Sequence, residues 1–129
     1  MSGKMNSQLH SLFNHQLYNQ QKMLDAGLYN DFKQEDTKVV PADDIKLVSY
    51  HIQQLMSEIG EILGADKRWK NFRNAEYDEN NKKEEIADCL IVIMNIAMYS
   101  GIDGDELVKT VESKLNKIEE RIEKEIANH

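Results

Sequence analysis

Two acidic pairs, Glu58-Ile-Gly-Glu61 and Glu85-Ile-Ala-Asp88, sit inside the two most apolar stretches of this chain. A carboxylate among apolar neighbours is costly unless a cation or a hydrogen-bond donor meets it. Leu55, Met56, Ile59, Ile62 and Leu63 surround the first pair, and Ile86, Ala87, Cys89, Leu90 and Ile91 surround the second. The spacing alone is weak, because other acid pairs three apart start at Glu76, Asp103 and Glu120. The apolar company is the signal, and it demands a fold in which these acids face one another or an ion.

Periodicity then settles the fold class. Apolar residues recur at helical intervals with little strand signal, so the chain is predicted to be all-α, a bundle of four to five helices forming one domain over residues 1–129. Leu9, Leu12, Phe13, Leu17 and Leu24 mark a first helix from about residue 5 to 27. Residues 28–40 carry no clear pattern. Pro41 suits the first turn of a second helix, with Asp43 and Asp44 at its positive end. Val48, Ile52, Leu55, Met56, Ile59, Ile62 and Leu63 form its stripe, and Gly64 is a natural stop.

A third helix is expected to start at Asn81, in a capping box with Glu84, and to end at Ser100-Gly101. Asp103 and Glu106 repeat the box for a fourth helix, whose stripe of Leu107, Val111, Leu115, Ile118, Ile122 and Ile126 suits packing or self-association.

Charge and length exclude several classes of function. The net charge of −7 disfavours a grip on nucleic-acid polymers. The longest apolar run, Cys89 to Met94, is far short of a membrane span, and the N-terminus lacks a signal-peptide layout, so the expected location is cytoplasmic and off the membrane. Cys89 has no second cysteine to pair with and is expected to be a buried, inert thiol.

On the second helix, His51, Gln54, Glu58 and Glu61 form a polar line beside the apolar stripe. On the third, Glu85, Asp88, Val92 and Asn95 do the same, with Tyr99 a turn further on. If the two helices pack antiparallel, Glu58, Glu61, Glu85 and Asp88 converge as hard oxygen ligands suited to Mg²⁺ or Mn²⁺. Zinc lacks its Cys/His set, and a di-iron bundle lacks its Glu-x-x-His pairs.

Between the helices, Lys67, Arg68, Lys70 and Arg73 make a cationic patch able to meet phosphates. Trp69 is read first as a core residue and second as a stacking platform, with Phe72 beside it. Asn95 reads equally as a donor to nucleotide or as an interhelical hydrogen bond. His10, Asn14, Gln16, Asn19 and Gln20 on the first helix are candidates for reading a base.

Glu58-x-x-Glu61, a 23-residue gap and Glu85-x-x-Asp88 resemble the metal-binding signature of the all-α nucleoside triphosphate pyrophosphohydrolases, the superfamily of MazG-like proteins, dimeric dUTPases and phosphoribosyl-ATP pyrophosphohydrolases. The match covers about residues 45–102. Members commonly carry Glu-Glu-x-x-Glu, and here Ser57 holds the leading position. The resemblance implies cleavage of a nucleoside triphosphate between its α and β phosphates, with Mg²⁺ on Glu58, Glu61, Glu85 and Asp88. The general base is then drawn from Glu58, Glu61 or Glu84. It implies (deoxy)nucleotide substrates, dUTP, dGTP or dATP, and a homodimer or homotetramer. The competing reading is a non-catalytic helical interaction protein assembling through the fourth helix.

Overall fold

The structure, a computed structural model, describes residues 2–29, 39–70 and 77–129. Among them are four α-helices, α1 (Ser2–Asp25), α2 (Ile45–Ala65), α3 (Glu79–Met98) and α4 (Gly104–Ala127), with one turn of 3-10 helix at Lys67–Lys70 and no strand. The all-α expectation holds. No helix among the described residues is long and apolar enough to cross a membrane.

α2 and α3 form an antiparallel hairpin tied at both ends. At one end Ala42 donates to the Met98 carbonyl at 2.9 Å and Asp44 to that of Tyr99 at 2.8 Å. At the other, Asp78 donates to the Ala65 carbonyl at 2.9 Å. These ties explain why α2 begins later than Pro41: the chain from Pro41 to Asp44 runs along the end of α3. Asp44 is itself the cap, accepting from Lys46 N at 3.1 Å and Leu47 N at 3.2 Å. Gly64 does not end α2. The helix runs on to buried Ala65, and Asp66 closes it by donating to the Ile62 carbonyl at 3.1 Å.

α3 also starts earlier than its sequence suggests. Asp78 accepts from Asn81 N at 3.1 Å, so Asn81 lies inside the helix it was expected to cap. The carboxylate three residues upstream takes the free N–H that the Asn81 amide was expected to begin from. The end matches expectation. Ile102 donates to the Ala97 carbonyl at 3.0 Å and Gly101 to that of Met98 at 3.2 Å, a Schellman closure in which Gly101 supplies φ +77°. Asp103 then caps α4, accepting from Glu106 N at 2.8 Å.

α1 crosses the back of the hairpin against α3 and the start of α4. The approach is close at Gly104, where a Cβ would come within 2.9 Å of the His10 ring and 3.1 Å of Phe13. Phe13, Leu47, Met98 and Tyr99 are fully buried and centre a core completed by Leu24, Tyr29, Val40, Met94 and Ala97. Leu12, placed on the core stripe by its spacing, is exposed instead. The core therefore lies at the end of the hairpin where α2 begins and α3 finishes. The acidic end lies beyond it, beside the exposed side chains of Met56, Ile59, Leu63, Ile86 and Leu90.

Candidate metal centre and adjoining pocket

The antiparallel pairing places the two acidic motifs opposite each other. Glu58, Glu61 and Glu85 each offer a carboxylate oxygen, and the three lie within 4.8 Å of one another. One oxygen of Glu58 and one of Glu85 are shielded from solvent with no hydrogen-bond partner, although both side chains are half-exposed as wholes. Such oxygens cost free energy unless a proton or cation meets them.

Protonation reflects that cost. A proton shared with Glu61, followed by desolvation and the Glu61 charge, pushes Glu85 up to about 7. Desolvation, with repulsion from Glu61 and Asp88, raises Glu58 above the ordinary carboxylate range. Asp88 is exposed and stands outside the tight trio, yet it shares a pocket wall with Glu58. Hard oxygens held this close, two lacking any donor, fit a small divalent cation of the Mg²⁺ or Mn²⁺ kind.

Next to the acids opens a pocket of about 300 Å³, walled by α1, α2 and α3. Gln16 and Gln20 come from α1, Tyr50, His51 and Gln54 from α2, and Asn95 from α3. Asn95 is buried and its Oδ1 accepts from Gln16 Nε2 at 2.9 Å, so the interhelical bond is present while the residue also faces the pocket. His51 is 2% exposed and stacks on Tyr99 with ring centroids 5.4 Å apart. Burial lowers its pKa and keeps it neutral. Of the α1 candidates, Gln16 and Gln20 reach this pocket; Asn19 supports Gln16 at 3.3 Å, and Asn14 pairs with His10 at 3.5 Å instead.

The basic patch is only partly available. Asp66 holds Arg68 through two bonds of 2.7 Å and Lys82 through one of 2.8 Å, and Arg68 also lies 3.6 Å above the Tyr77 ring. These partners hold the Asp66 carboxyl far below its usual range. Arg68 is a strut of the α2–α3 connection. Trp69 is not a core residue: it is 59% exposed and donates to the Leu63 carbonyl at 3.1 Å, with the Lys70 ammonium over its ring at 5.6 Å. Phe72 and Arg73 lie outside the described residues.

Sequence reasoning missed Tyr29 and Tyr50 on the pocket wall and Asp66 as the hub of the connection. Tyr29 follows the turn at Gly27, in a stretch without periodicity, so nothing local marks it as buried. Cys89 is buried as expected, its thiol pushed up by desolvation.

A family model described as dUTPase matches residues 14–128. The chain belongs to this dUTPase family. No curated protein and no solved structure matches it. The dUTPase-family match spans both acidic motifs, the pocket residues of all three helices and the whole of α4. Membership marks the chain as an enzyme of the nucleotide pyrophosphohydrolase type, and dUTPase-like hydrolases generally work with a divalent metal.

Proposed function

We propose that the chain hydrolyses a (deoxy)nucleoside triphosphate, with dUTP the first candidate and dGTP and dATP behind it, to the monophosphate and pyrophosphate. The observation that carries this reading is the convergence of Glu58, Glu61 and Glu85, two with shielded partnerless oxygens, inside a chain that the dUTPase model matches. The single domain 1–129 contains every residue invoked.

In this reading Glu58, Glu61 and Glu85, with Asp88 at the edge, hold Mg²⁺, with Mn²⁺ able to replace it. The cation supplies charge neutralisation on the triphosphate and activation of a water. The chain's own residues do the rest. The polarising carboxylates keep the general base, drawn from Glu58, Glu61 or Glu84, within reach of a water proton. Lys67, Lys70 and Arg73 offset phosphate charge, and Arg68 serves them indirectly by fixing the connection through Asp66. Gln16, Gln54 and Asn95 orient the nucleoside in the pocket beside the acids.

The exposed stripe of Leu115, Ile118, Ile122 and Ile126 on α4 supports a homodimer or homotetramer, since its apolar area has no cover among the described residues. A cytoplasmic nucleotide pool is the matching location. A panel of ribo- and deoxynucleoside triphosphates, followed for pyrophosphate and orthophosphate separately, tests the reaction. Orthophosphate as the product would overturn α–β cleavage.

A further inference from the structure

α4 leaves the body of the protein as an arm. Gly104 and Val108 at its start are buried, Glu112 is half-buried, and every residue from Ser113 to His129 is exposed. The helical part of that exposed stretch, ending at Ala127, is roughly 22 Å long. A solvated helix of this length has little stability of its own, and an apolar stripe on it calls for a partner. Val111, Leu115, Ile118 and Ile122 nevertheless lie exposed along one face.

Their spacing is more specific than helical amphipathicity. Steps of four, three and four place Val111 and Ile118 at d, and Leu115 and Ile122 at a, of the heptad of a coiled coil. The seam is bounded at both ends. The a position upstream is Val108, buried within the chain, and the d position downstream is Glu125, an exposed charge. So short a seam binds weakly, and the charges beside it then decide how two copies lie.

Those charges are sorted by side. The e positions hold Glu112 and Glu119, and the g positions hold Lys114 and Arg121. Between antiparallel helices g faces g and e faces e, so Lys114 would meet the partner's Arg121, and Glu112 the partner's Glu119. Each of those contacts repels. Between parallel helices g faces the e position of the next heptad, and Lys114 meets the partner's Glu119 twice by symmetry. Arg121 and Glu112 then face apolar positions, and no like charges are opposed. Both signs needed for the pairing are carried on the one helix, so the partner that fits is another copy of this chain.

We propose that α4 is a self-assembly arm: copies of the chain meet through Val111, Leu115, Ile118 and Ile122, with their α4 helices parallel and in register and Lys114 of each against the partner's Glu119. Leucine at a with isoleucine at d suits more than two strands, and the same charge pairing repeats between neighbouring helices of such a bundle. Parallel arms bring the α2–α3 hairpins of every copy to the same end of the assembly. The inference rests on the homo-oligomer proposed above and adds how its copies meet.

Two arms test it in full-length protein without nucleotide. In sedimentation at low ionic strength, Lys114→Glu and Glu119→Lys should each weaken association by roughly tenfold, and the double variant should return it to near the wild-type value. Antiparallel helices give the opposite sign, because each single change then replaces a repulsion with an attraction; tighter association overturns the proposal. Disulfide trapping reads the geometry whatever the affinity. A mixture of Ile122→Cys and Val111→Cys proteins, gently oxidised and mapped by mass spectrometry, should yield bridges between like positions, 122 to 122 and 111 to 111, with wild type, which carries only Cys89, as the blank. Bridges mainly between 111 and 122 overturn the parallel register. A wild-type monomer at every concentration removes the homo-oligomer along with the proposal, whereas an oligomer unmoved by the charge changes and unbridged by the cysteines removes only the role of α4.

Discussion

α3 and α4 follow one another across a short turn, and both are long helices with apolar residues at helical spacing. α3 buries Cys89, Val92, Met94, Asn95, Ala97 and Met98, whereas α4 buries only Gly104 and Val108. The helix with the cleaner stripe is thus the one left open: Leu115, Ile118, Ile122 and Ile126 are all exposed. A regular amphipathic stripe measures how uniformly a helix needs a partner, not whether its own chain supplies one. The irregular pattern of α3 has a different origin. One part of it packs against α1 and α2 while another turns carboxylates toward Glu58 and Glu61, and two duties on one helix blur the period.

The largest difference should appear in stability. Met98→Ala on α3 removes a fully buried side chain and should cost about 2–5 kcal/mol in denaturant unfolding. Leu115→Ala on α4 should cost under about 1 kcal/mol when measured at protein concentrations too low for association. Similar losses from both would mean that α4 is packed within its own chain.

Activity sharpens the contrast. Glu85→Gln, and Asp88→Asn less severely, should reduce turnover, the former by about 100-fold or more, because the charge removed belongs to the proposed cation-binding set. Glu123→Gln, an exposed acid on α4, should leave rates within about twofold. Steady-state kinetics at saturating Mg²⁺ decide it, and equal effects would break the distinction between the two helices' acids.

Association tests the open stripe itself. Ile118→Glu or Ile122→Glu puts charge into the α4 face and should convert the oligomer to a monomer in light scattering at micromolar protein, with helical content retained. A wild-type monomer would remove the partner that α4 is argued to need.

The smallest effect is in pH. Glu85 titrates at about 7 when folded against an ordinary 4.5, so the folded chain binds more protons than the unfolded one between those values. That contribution is fully present below about pH 4.5 and is lost as the pH rises through 7. Glu58 shifts in the same direction. Metal-free protein should therefore lose a few degrees of Tm between pH 5 and 8, and millimolar Mg²⁺ should flatten or reverse the slope. Asp66, shifted the other way, acts only at lower pH. A metal-free Tm that rises over this range would contradict the crowding of the carboxylates.

Much of this was legible in the sequence, and the failures have identifiable causes. The helices of the hairpin, the Gly101 closure and the Asp103 cap follow from local chemistry, because each depends on residues within one or two turns. The convergence of Glu58, Glu61 and Glu85 was legible because two i, i+3 pairs on antiparallel helices leave few alternatives. The starts of α2 and α3 were misplaced because both are set by ties across the hairpin. Trp69 was misread because its indole is held by one backbone carbonyl at the end of α2, a contact with no periodic signature. Tyr29 stayed invisible because its burial depends on Gln20 of α1, His51 of α2 and Tyr99 at the cap of α3, all distant in sequence from one another.

One measurement bears most directly on the central claim, that the α2–α3 acids form a metal-dependent pyrophosphohydrolase site. Purified full-length protein, freed of metal with chelator, is assayed with dUTP for pyrophosphate release before and after adding Mg²⁺ or Mn²⁺, with Glu61→Gln in parallel. No release is expected without metal, pyrophosphate and dUMP should appear in equal amounts with it, and the variant should release near background. Metal-independent hydrolysis, or undiminished turnover by Glu61→Gln at saturating metal, would contradict it.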